Sequence, residues 1–74
     1  MVLSYQIMFR PEPGGGFTVI VPSLPGCITY GETLEDAQKM AKEAIELYVA
    51  TLQERDEEVI DDSQTFESRL QIVA

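Results

Sequence analysis

Hydrophobic and polar positions alternate from the start of the chain: Leu3, Tyr5, Ile7 and Phe9 fall on one side, and Ser4, Gln6 and Arg10, with Met8, on the other. A period of two predicts a half-buried strand over Val2 to Arg10. "PEPGGG", Pro11 to Gly16, combines prolines that cannot continue a central strand with glycines that tolerate positive φ, so a hairpin turn is expected there. "FTVIV", Phe17 to Val21, is β-branched and aromatic and predicts a second strand that ends at Pro22. Pro25 and Gly26 stand in the order required by the central positions of a type II turn, and a third strand, Cys27 to Tyr30, then returns.

The period changes at Thr33. Its hydroxyl can cap a free N–H, Asp36 follows three residues later as an approximate capping box, and Glu35 complements the helix dipole. Leu34, Ala37, Ala41, Ala44, Ile45, Tyr48 and Leu52 repeat at three and four, which predicts a helix to about Glu54 with one stripe facing a sheet. Such a helix is roughly 30 Å long at 1.5 Å per residue. From Glu54 to Glu67 there are seven acids and one base, Arg55, and regular structure is least expected there. Alternation resumes with Phe66, Leu70 and Ile72 against Arg69 and Gln71, predicting a closing strand over Arg69 to Val73.

The predicted order is β-β-β-α-β, an α+β domain with one long helix on one face of a four-stranded sheet. A closing strand beside the first would be parallel to it through a right-handed crossover, the arrangement of a partial ribonuclease-H-like fold. Residues 1–74 are expected to form a single domain with no C-terminal DNA-binding domain.

At this length folding buries only about 60% of the unfolded surface, so help from a partner or a second copy, a dimer in the simplest case, is expected. A net charge of −8, from thirteen acids against five bases, makes nucleic acid an unfavourable direct ligand and a basic protein a favourable one. The single cysteine, Cys27, excludes an intrachain disulfide. With neither a charged-then-apolar leader nor an apolar run near twenty residues, a cytoplasmic location away from membranes is the expectation.

Candidate chemistry is sparse. Two-metal phosphodiester cleavage needs carboxylates converging from strands and helix, and Val2 to Arg10 holds neither Asp nor Glu. Cys27 lies among apolar residues in a chain without histidine, so it reads as a small core hydrophobe rather than a nucleophile. Gly14 to Gly16 joins two strands and is not followed by Lys-Ser or Lys-Thr, which fits a hairpin tip and not a phosphate loop. The acidic segment lacks the glycine and terminal glutamate spacing of a calcium loop. No enzyme activity, metal or cofactor is expected. "VPSLPGC", Val21 to Cys27, admits two compatible readings, a pair of rigid turns or an exposed apolar ledge for a partner.

Taken in order, Tyr5, Pro11-Glu12, Gly16-Phe17, Val21-Pro22, Leu24 to Cys27, Thr29, Gly31 to Thr33, then Ala37, Ala41, Ala44-Ile45 and Tyr48 resemble the HicB family of antitoxins over about two-thirds of the chain. That resemblance implies a non-catalytic domain that binds a small basic HicA-type toxin, an enzyme that cleaves messenger RNA, and masks its active site. Two features depart from the family: the frequent C-terminal DNA-binding domain is not among residues 1–74, and a segment often containing proline reads "VIDDSQ", Val59 to Gln64. The expected toxin contacts are Pro22, Leu24, Pro25 and Gly26 on the ledge, with Glu57, Glu58, Asp61 and Asp62 as acidic partners. The alternative is a homodimeric structural or regulatory module without a toxin, pairing through a strand edge or the helix flank of Met40 and Leu47.

Overall fold

The computed structural model describes residues 1–74. Three strands, β1 (Met8–Pro11), β2 (Phe17–Ile20) and β3 (Ile28–Gly31), form an antiparallel sheet in chain order, followed by one helix, α1 (Leu34–Glu54). The register sets Phe9 opposite Val19 and Val19 opposite Thr29. Both turns take the chemistry their residues dictate. In the first, the Gly15 N–H donates to the Glu12 carbonyl and the Glu12 N–H to that of Gly16, each at 3.0 Å. In the second, the Cys27 N–H donates to the Leu24 carbonyl at 2.9 Å while Gly26 holds φ of 80°, as the third residue of a type II turn must.

Thr33 caps α1 by accepting from the Asp36 N–H at 3.0 Å, with Glu35 and Asp36 in the first turn. The far end closes with a Schellman pattern: Asp56 takes φ of 55°, its N–H donates to the Gln53 carbonyl, and that of Glu57 donates to Leu52. The helix lies across β3 and β2. Small side chains permit a close approach, and Val19, Ala37 and Ala41 form a buried cluster with Phe9, Phe17 and Ile7 packed around it. A second cluster, Val21, Leu24 and Cys27, is covered by Tyr5, Ile7, Ile45, Tyr48 and Leu52. The expected stripe thus faces inward, except that Leu34 is exposed and Val49 is buried in addition. No helix is long and apolar enough to cross a membrane.

Two strand expectations are corrected. The first strand begins at Met8 rather than Val2. Continued past Met8, the register sets Gln6 opposite Pro22, which has no N–H, and the Gln6 N–H donates to Asp62 instead. The closing strand over Arg69 to Val73 is not formed: residues 57–74 contain no helix or strand, so the sheet has three strands and the parallel pairing of a half ribonuclease-H-like fold has no strand to make it. Within the single chain Phe66, Leu70 and Ile72 all stand exposed.

Candidate interaction surface

The "VPSLPGC" stretch splits by burial. Pro22, Pro25 and Gly26 are exposed at the turn, and the Tyr48 hydroxyl of α1 donates to the Pro25 carbonyl at 2.8 Å, fixing the turn against the helix. Leu24, expected on the ledge, is 2% exposed and sits in the core with Val21 and Cys27. Between this ledge and the last turns of α1 runs an open groove of about 450 Å³ whose lining includes Gly26, Ile28, Leu47, Thr51, Arg55 and Glu57. Ile28 and Leu47 are 61% and 71% exposed, which leaves large apolar surface facing solvent beside a carboxylate. Met40, on the same helix, is also exposed but lies outside that lining.

The four acidic candidates divide in the same way. Glu57 and Glu58 are exposed, with Glu57 at 4.0 Å from the Arg55 guanidinium. Asp61 and Asp62, expected as acidic partners of a toxin, clasp the N-terminal segment of the chain. The Ser4 N–H donates to Asp61 Oδ2 and the Gln6 N–H to Asp62 Oδ2, both at 2.9 Å. The Asp62 N–H donates to the Ser4 carbonyl at 2.7 Å, and the Ser23 hydroxyl donates to Asp62 Oδ1. The Tyr5 hydroxyl completes the clasp on the Ile60 carbonyl at 2.6 Å.

Donors aimed at a carboxylate favour its charged form. Asp61 is accordingly held below the usual carboxylate range, first by the Ser4 N–H and then by Ser63, and Asp62 first by the Ser23 hydroxyl and then by the Gln6 N–H. Burial, followed by the neighbouring negative charges of Asp61 and Asp62, pushes the Tyr5 phenol up. The pairing of Ser23 with Asp62 was invisible in the sequence because it spans 39 positions. The adjacent acids Asp61 and Asp62 were its one signal, since a carboxylate drawn out of water needs donors.

Cys27 is 6% exposed, and burial pushes its thiol up, away from the reactive thiolate. No three Cys, Asp or Glu side chains converge in a way that could hold a metal ion. What the surface offers is a rigid turn, an apolar groove and exposed acidic charge, the features of a small docking domain.

The comparisons agree with that class. A family model described as the HicB-like antitoxin of bacterial toxin-antitoxin systems matches residues 5–71. A Thermoplasma acidophilum protein named UPF0150 protein Ta0767 is 34% identical over 61 residues, covering 82% of this chain and 88% of that protein. A UPF0150 protein of Archaeoglobus fulgidus is 40% identical over 47 residues, covering 64% and 68%. UPF0150 protein ssr1765 of Synechocystis is 37% identical over 51 residues, covering 69% and 65%. The chain belongs to the HicB-like antitoxin family.

Proposed function

We propose that this protein neutralises a small basic toxin of the HicA type by covering its RNA-cleaving site, acting in the cytoplasm as a non-catalytic binding domain of residues 1–74. The observation that carries the reading is the groove in which exposed Ile28 and Leu47 lie beside Gly26 and Glu57, on a chain of net charge −8. Apolar contact would supply affinity there and the acidic field would steer a basic partner toward it. Pro22, Pro25, Gly26, Glu57 and Glu58 are its contact residues. Leu24, Asp61 and Asp62 support them from behind by fixing the turn and the segment after the helix.

The test is co-expression with the product of a neighbouring small basic reading frame, followed by titration of the purified pair at low and high salt. Binding should weaken as salt screens the charges. Leu47→Asp changes a side chain that is 71% exposed, so the fold should persist while affinity drops at least about tenfold. Absence of a complex, or a complex indifferent to both salt and Leu47→Asp, would overturn the proposal.

A further inference from the structure

The C-terminal arm, residues 66–74, projects from the fold without a role in it. Phe66 is 96% exposed, Leu70 82% and Ile72 80%, and they alternate along one face of the segment. None of the arm's backbone groups takes part in a backbone hydrogen bond; the last such bond before it is the turn from the Thr65 N–H to the Asp62 carbonyl. Three large apolar side chains on an unpaired extended segment form the kind of surface that soluble proteins cover.

A matching vacancy lies on the other flank of the helix. A groove of about 790 Å³ runs between the N-terminal segment and α1, floored by Leu3, Tyr5, Ile7, Ile45, Val49 and Ala50, and no residue of the chain's own arm lines it. Lengths agree: nine extended residues span about 30 Å at 3.3 Å each, and a helix of 21 residues spans about 31 Å at 1.5 Å each. Charges also agree. Lys39, Lys42, Glu35 and Glu46 line the groove and the arm brings Glu67 and Arg69, so both surfaces carry charges of both signs.

The chain's own arm does not fill this groove, since none of residues 66–74 lines it. Asp62 is held to Ser4, Gln6 and Ser23, the turn to Thr65 follows at once, and every residue from 63 to 74 is exposed. We infer that the arm of a second copy fills the groove, and that two copies exchange arms reciprocally to form a homodimer in which Phe66, Leu70 and Ile72 pack against Ile45 and Val49 of the partner. This surface does not depend on a toxin.

Reciprocity gives the dimer a signature opposite to that of toxin binding. Each copy carries −8, so bringing two together works against long-range repulsion, and added salt should tighten the dimer. Light scattering of the purified full chain over a concentration series should give twice 8.3 kDa, with a midpoint that moves to lower protein concentration as salt is raised. The triple variant Phe66→Ser, Leu70→Ser, Ile72→Ser changes exposed residues and should keep the helical circular dichroism while giving only monomer. Ala50→Arg, on the exposed floor of the groove, should do the same from the other side. A monomeric wild type overturns the inference. So does a dimer that survives the triple variant, and so does one lost with the triple variant but retained with Ala50→Arg, which would place the arms against each other instead. None of these outcomes bears on toxin affinity, which is measured separately.

Discussion

Replacing Gly31 with alanine should weaken the whole domain, although the added group is a single methyl. Gly31 ends β3 and pairs with Phe17, and a Cβ built on it would lie 2.3 Å from Ala37 N, 2.4 Å from Ala37 Cα and 2.8 Å from the Asp36 carbonyl carbon. Carbon atoms prefer separations of about 3.5–4.0 Å, so the first turn of α1 must recede by roughly 1 Å. All three obstructing atoms are backbone, so no side-chain rotation relieves the overlap. Recession would pull Ala37 from Val19, both of which are 0% exposed, and strain the cap in which Asp36 N–H meets the Thr33 hydroxyl. Overpacking costs about 1–3 kcal/mol and a damaged cap about 1 kcal/mol, giving about 2–4 kcal/mol in all. A domain of this length has a stability of only about 4–11 kcal/mol. At about 4–8 °C per kcal/mol the melting temperature should fall by about 8–32 °C. Thermal and urea unfolding followed by circular dichroism would measure this, at one fixed protein concentration because association shifts apparent stability. Gly14→Ala is the control, since nothing lies within 4 Å of its added Cβ. Its effect should stay within about 0.5 kcal/mol. If Gly31→Ala were equally silent, the close approach of β3 to the start of α1 would be refuted.

Two further outcomes follow from the titratable groups. Asp62 has its folded pKa lowered from 3.8 by the Ser23 hydroxyl and the Gln6 N–H, so its stabilisation is complete above 3.8 and is lost as pH falls through the lower folded value. Asp62→Asn should therefore be less stable than wild type at neutral pH, with the gap narrowing below 3.8 in unfolding titrations; a gap that stayed constant on acidification would show that the clasp is not electrostatic. Cys27, 6% exposed with its thiol pushed up by burial, should react with a disulfide reagent orders of magnitude more slowly in the native protein than in urea. Equal rates would mean that the second core cluster is open.

What could be read from the chain was what its neighbours in sequence decide. Thr33 and Asp36 form a cap, Pro25 and Gly26 a turn, and Ala37 and Ala41 an inward stripe, because each depends on contacts a few residues away. The alternation of residues 2–7 and of 66–73 was equally clear, yet a period of two states which side chains share a face and not which strand lies alongside. For residues 5–7 the answer turned on Pro22 and on the capture of the Gln6 N–H by Asp62. The candidate contacts show the same divide. Leu24 sat in an apolar ledge and went inward, and Asp62 sat in an acidic run and found Ser23 and Gln6, because burial and long-range donors are properties of the folded chain.

The placement of the two grooves on the helix bears on how the proposed associations can coexist. Successive residues of an α-helix advance by about 100°, so Ile45, Val49, Glu46 and Ala50 lie on one flank of α1, while Leu47, Thr51, Ala44 and Tyr48 lie on the other. The small alanines at 37 and 41 press the axis between them onto the sheet. An arm from a second copy would thus occupy the flank facing the N-terminal segment and leave the ledge of Pro22, Pro25 and Gly26 free on each protomer. Geometry then permits two toxins per dimer, and charge separates the two events: screening opposes capture of a basic partner and favours the meeting of two copies that each carry −8. A domain with nine buried residues out of 74 has little interior with which to stabilise itself. Covering Phe66, Leu70 and Ile72 through exchange would add apolar burial where the single chain has least, while the ledge and the acids Glu57 and Glu58 that the toxin reading requires stay in solvent.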